Sequence, residues 1–126
     1  MPNWNYSKLI ISGHQSEITK LMSFVKDIDS MGNLSLFTFQ KIIPMPKDIR
    51  EDTKTDRWYH WSCENWGTKW DADDVSLLIK PIPNSMLYIL DNPKTKIMYE
   101  FQTAWNGVPD VIKTLSSFYP NLKFQY

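Results

Sequence analysis

One cysteine, Cys63, stands in the whole chain, so no internal disulfide can staple it and no multi-cysteine zinc site can form. Glycine is almost as scarce. Gly13, Gly32, Gly67 and Gly107 are scattered, without the Gly-x-Gly runs that bring a backbone against nucleotide phosphates. Nor does charge of one sign dominate: fourteen Lys and Arg balance fourteen Asp and Glu. That balance excludes a polycation gripping nucleic acid by counterion release, and equally a strongly acidic mimic of it. The longest apolar stretches, such as Leu9-Ile10-Ile11 and Met86–Leu90, fall far short of the roughly 20 residues of a membrane-spanning helix. Met1–Tyr6 lack the basic start and apolar core of a secretory signal. The expectation is a cytoplasmic protein without membrane contact.

What is present is enough for one compact domain of 126 residues. Tyr6–Ser12 reads as a strand ending in a turn at Gly13. A helix then opens at Ser16, with Ile18, Leu21, Met22, Val25 and Ile28 at helical spacing, and Gly32-Asn33 stops it. Leu34–Ile43 predicts a second strand, apolar on both parities and therefore covered on both faces. Pro44-Met45-Pro46 ends it. Lys47–Arg57 is almost purely charged and reads as a solvated, mobile loop.

Further on, Val75–Ile79 and Met86–Leu90 read as two hairpin or edge strands, followed by a turn at Asp91–Lys94. Lys96–Thr103 alternates, with Ile97, Tyr99 and Phe101 on one side, as a half-buried strand does. Pro109 opens a second helix whose apolar side is Val111, Ile112, Leu115, Phe118 and Tyr119, and Leu122–Tyr126 closes as a short strand. The expected class is α+β. Stripped of an insert over about 47–95, the order is βαββαβ, a ferredoxin-like antiparallel sheet with two helices on one face. The Trp-rich insert would lie between strands 2 and 3 and pack over an end of the sheet or its open face.

Four of the six tryptophans fall in residues 58–70: Trp58, Trp61, Trp66 and Trp70. So much aromatic surface must bury against the body or against a partner. In the bland reading, Trp58 and Trp61, three apart, and Trp66 and Trp70, four apart, point inward from short helical turns. Asn65 then caps the turn, Gly67 permits a tight backbone, and Lys69 lies over an indole face. In the functional reading, indoles together with Asn65, Thr68 and Lys69 line a concave ligand or partner surface, because tryptophan anchors are enriched at binding hot spots.

Other chemistry is less well served. His60 and Cys63 have a spacing that could meet a zinc ion, but the only other histidine is His14 and no second cysteine exists. A Cys63–His60 nucleophile pair would sit within one turn of chain, whereas catalytic pairs generally converge from distant positions. The spacing of Glu64 and Asp71 does not indicate acid–base work. The chain also lacks the Lys/Arg-Gly-aromatic signature of RNA-recognition sheets. Over residues 47–74, eight acidic residues face five basic ones, so a phosphate backbone would be mildly repelled. No catalytic residue, metal or cofactor is expected, and nucleic acid is not the expected partner.

The string Asn65-Trp66-Gly67-Thr68-Lys69-Trp70-Asp71-Ala72 resembles the signature of the YubB-like ferredoxin-like domain family of phage, prophage and plasmid proteins. Trp4-Asn5, Phe39–Pro46 and Phe101–Trp105 match as well, so the resemblance covers nearly the whole chain. It implies a fold and a mobile-element setting, with no established activity. The expectation that follows is a non-enzymatic binding module in a bacterial host cell, contacting a host protein through the aromatic insert. Inhibition of a defence complex such as CRISPR is one concrete form of it. The candidate binding residues are Asn65, Trp66, Thr68, Lys69, Trp70 and Asp71, with Asp71 pairing Lys69. The alternative is a small-ligand binder or enzyme with a pocket between residues 65–70 and the sheet. The oligomeric state stays open, since such a sheet has an exposed edge.

Overall fold

The structure, a computed structural model, describes residues 3–81 and 94–126, with the backbone alone at 80 and 81. Its elements are β1 (Trp4–His14), α1 (Gln15–Val25), β2 (Asp27–Ile28), β3 (Leu34–Ser35), α2 (Phe39–Ile42) and α3 (Lys47–Arg50). There follow α4 (Arg57–Asn65), β4 (Asp73–Pro81), β5 (Lys94–Ala104), α5 (Pro109–Phe118) and β6 (Lys123–Gln125). Four strands form one antiparallel sheet in the order β4-β5-β1-β6, while β2 and β3 pair only with each other. The architecture is α+β.

Alternation writes the two central strands. β1 buries Ser7, Leu9 and Ile11, and β5 buries Thr95, Ile97, Tyr99, Phe101 and Thr103, all on one face. The two strands pair from Trp4↔Ala104 to His14↔Lys94. Ile18, Leu21 and Val25 of α1 and Val111, Ile112 and Leu115 of α5 join the same buried cluster, so both long helices cover that face. Pro109 starts α5 where its missing N–H costs nothing. The opposite face of the sheet is open: Tyr6 is 78% and Leu78 47% exposed.

Several expectations are corrected. α1 ends at Val25, so Ile28 leaves the helical stripe for the small β2–β3 hairpin, where it is exposed. The turn of that hairpin is held by Asp29, which accepts from Met31 N at 2.9 Å and Asn33 N at 2.8 Å. Leu34–Ile43 is not a sheet strand: only Leu34–Ser35 is extended and paired, and Phe39–Ile42 is helical. Thr38 caps that helix by accepting from Gln40 N.

The charged stretch contains α3 and a network in which Arg57 Nε meets Asp52 at 2.9 Å and Nη1 meets Asp48 at 3.5 Å. It is therefore a tethered segment rather than a bare loop. Val75–Ile79 belongs to β4, which enters the main sheet at its edge beside β5. The Trp-rich segment consequently precedes the second strand of the sheet instead of separating strands 2 and 3. The expected strand Met86–Leu90 and the turn at Asp91–Pro93 lie outside the described residues. No described helix is long and apolar enough to cross a membrane.

Candidate functional site

The Trp-rich chain begins as α4 and is stopped by its glycine. Gly67 takes φ +79°, and its N–H and that of Trp66 both reach back to Ser62 O, at 3.2 and 2.8 Å. Ser62, the one buried residue of α4, puts Oγ 2.7 Å from Lys69 O and 3.0 Å from Tyr59 O. That hydroxyl ties the returning chain to the helix it has just left.

Beyond the turn the side chains divide into two sets. Trp66 is buried: its indole N–H donates to Ile43 O at 2.9 Å, and its ring meets Phe39 and Trp61 edge-on at 5.8 and 5.3 Å. Thr68 is buried too and donates to Ala104 O at 2.7 Å, closing the end of β5. Asp71 turns inward and accepts from Thr38 Oγ1, from Phe39 N at 2.6 Å and from Ala72 N at 2.7 Å. Burial pushes its carboxyl above the ordinary range, against the pull of those hydrogen bonds. Asp71 thus clamps the start of α2 and does not pair with Lys69, contrary to the expectation. These three residues hold the segment on the end of the sheet.

Asn65, Lys69 and Trp70 stay toward solvent. Asn65 Nδ2 donates to Trp61 O at 2.9 Å. The Lys69 ammonium lies 4.4 Å from the Trp70 ring centroid, 5.7 Å from Tyr59 and 5.8 Å from Trp105. Trp4 extends the cluster, 6.1 Å from Trp70. Lys69 makes no ion pair among the described residues. Trp4, Trp70 and Trp105 remain 36, 38 and 45% exposed. This is a part-exposed aromatic surface with one half-buried lysine among its rings.

Trp105 is placed by strain. Its φ is +67°, a left-handed value costing a bulky L-residue roughly 1–2 kcal/mol. The backbone is held there by Trp105 N donating to Asn3 O at 2.7 Å and by Thr103 Oγ1 donating to Asn106 O at 2.5 Å. Strain of this kind is concentrated at functional positions. Tyr59, Trp4 and Trp105 were not among the residues expected at the site. Trp4 and Trp105 are far apart in the sequence, and the β1–β5 register, through Trp4↔Ala104, brings them to the same end of the sheet.

The polar chemistry nearby is modest. His60 Nε2 meets Asp56 at 3.3 Å on the exposed side of α4. Among the described residues no three His, Cys, Asp or Glu side chains gather as a metal would require. Asp73 and Asp74 are exposed, and Asp73 accepts from Gln102 at 3.1 Å. A scan against protein-family models matched none, and searches of the curated proteins and of the solved structures likewise returned no match.

Proposed function

We propose that the protein is a non-enzymatic binding module that docks a partner protein on the surface formed by Trp4, Tyr59, Lys69, Trp70 and Trp105. The observation that carries this reading is an ammonium, without an ion pair among the described residues, between the part-exposed Trp70 and Trp105, the latter held at φ +67°, with part-exposed Trp4 against Trp70. Exposed indoles are the side chains most often found as interface anchors, and a lysine among them selects for an acidic or carbonyl-rich counterpart. The inward set, Trp66, Thr68 and Asp71, supports the platform rather than touching the partner.

The scaffold is read as ferredoxin-like. The sheet order β4-β5-β1-β6, with α1 between β1 and β4 and α5 between β5 and β6, supports it. The resemblance of residues 65–72 to the YubB-like family supports a mobile-element setting. The partner is then a protein of the bacterial host, a component of a defence complex such as CRISPR being the concrete case.

The test is affinity capture from host lysate with wild type, Lys69→Ala and Trp105→Asn. Asparagine tolerates the left-handed backbone at 105, and loss of the Lys69 contacts removes about 0.5–1 kcal/mol, so both variants keep the wild-type circular dichroism spectrum. The expected result is a host protein held by wild type and lost by both variants. Equal retention by the variants, or no protein retained by wild type, overturns the reading.

A further inference from the structure

The face of the sheet that no helix covers has an ordered charge pattern. Its central row runs across the strands as Leu78, Met98 and Ile10, fixed by the pairings Leu78↔Met98 and Ile10↔Met98. Toward one end of the strands lie Glu100, with Lys8 across from it on β1, and, beyond them, Asp73 beside Gln102. Toward the other end lie Lys96 on β5 and Lys123 beside Ser12 on the neighbouring strands. Glu100 and Lys96 sit on the same strand, equally far from Met98 and on opposite sides of it. Neither makes an ion pair among the described residues. The face is thus apolar in the middle, basic at one end, and of mixed sign with Glu100 and Asp73 outweighing Lys8 at the other.

We infer that this face binds a second copy of the chain, the two copies related by a two-fold axis running along the Leu78–Met98–Ile10 row. Such an axis reverses strand direction while preserving strand position. Met98 then meets Met98 of the other copy, each Glu100 stands opposite the other copy's Lys96, and each Lys8 stands opposite the uncharged Ser12. The two ion pairs are equivalent by symmetry, as an isologous interface demands. Sheets stacked face to face lie about 10 Å apart, a gap that a lysine and a glutamate extended toward each other can bridge. The offset of about 30° between stacked sheets moves these positions by only a few ångströms, within the reach of the lysine.

Four strands spaced about 4.8 Å apart, the longest of 11 residues, present roughly 600 Å² per copy. The total, about 1,200 Å², lies at the lower end of specific interfaces. The pairing is therefore concentration-dependent. Its test is separate from that of the Trp surface, because its readout is the mass of the protein alone.

Sedimentation velocity over a range of concentrations tests it with wild type, Glu100→Lys, Lys96→Glu and the double variant. Each single reversal faces like charges across the axis twice and raises the dimer dissociation constant at least about tenfold. The double variant restores the pairs with their direction exchanged, and with them the dimer. In a Cys63→Ser background, Met98→Cys is joined to its copy by a short bismaleimide, whereas Lys20→Cys on α1 is not. A wild type that stays monomeric at every concentration overturns the inference. So do a dimer indifferent to both reversals, a double variant that fails to recover, and a Met98→Cys protein that does not cross-link.

Discussion

Trp66 and Trp70 are the same residue four positions apart, a spacing that reads as one helical face, yet one is core and the other surface. The difference lies between them, where Gly67 at φ +79° turns the chain before a second helical turn can form. A glycine in the sequence marks a permitted turn but not which flanking indole it sends outward. The same turn explains Asp71. It is two residues from Lys69, but the chain delivers its carboxylate to Thr38 and Phe39, 33 and 32 positions earlier. The placing of Lys69 over an indole, by contrast, needs only the adjacent Trp70 and was legible from sequence.

Titration is also a residue-scale property here. Asp52 accepts from Thr55, from Lys54 N at 3.0 Å and from Arg57 Nε at 2.9 Å, and its pKa falls from 3.8 to about 2. The folded chain holds this carboxylate ionised more tightly than the unfolded chain does. Its contribution to stability is full above 3.8 and is lost as pH falls through about 2. Urea midpoints measured down this range should drop less steeply for Asp52→Asn than for wild type. Parallel curves would show that the network around Arg57 does not form in solution. Asp71 carries the opposite sign: its raised pKa makes its contribution greatest in acid and smaller as the group ionises.

At the scale of elements, α2 shows where pattern reading stops. Leu34–Ile43 is apolar on both parities, and a short buried strand and a short buried helix look alike under that pattern. What decides it is an acceptor from far along the chain, the Asp71 carboxylate, which takes the Phe39 N–H and the Thr38 hydroxyl. β1, α1, β5 and α5 were legible because each carries its own periodicity over 10 or 11 residues.

The clamp on α2 makes a quantitative prediction. Thr38→Ala and Asp71→Ala each remove a partner from a partly buried group and should cost about 1–3 kcal/mol. Because both act on one network, the double variant should cost less than the sum, with a coupling of roughly 0.5–3 kcal/mol from urea unfolding. Additive costs would mean that Asp71 and Thr38 act separately and that α2 is held by packing of Phe39 and Ile42 alone.

For the whole molecule, the strand that begins the chain sits at the centre of the sheet. β1 takes its partners from residues 94–104 and 123–125, so the sheet cannot close until nearly all of the chain is present. Tyr126 then pins the end. Its ring lies along Phe101 with centroids 6.5 Å apart, and its hydroxyl accepts from Val108 N at 2.8 Å and sits 3.0 Å from Ser7 Oγ. Sequence pattern shows such strands individually but not which of them become neighbours, and the Trp4–Trp105 surface depends on that neighbourhood.

This arrangement ranks the parts by stability. The β1–β5 ladder is long, and its residues Leu9, Ile11, Ile97 and Tyr99 are at most 1% exposed. Their amides should exchange with deuterium only through global unfolding. The β2–β3 hairpin has two pairings and four exposed residues, so its amides should exchange through local opening that denaturant barely affects. Native-state hydrogen exchange in rising denaturant separates the two classes. If Ile28 and Leu34 fell on the same isotherm as Tyr99, the hairpin would belong to the cooperative core, and the sheet alone would not set the stability of the fold.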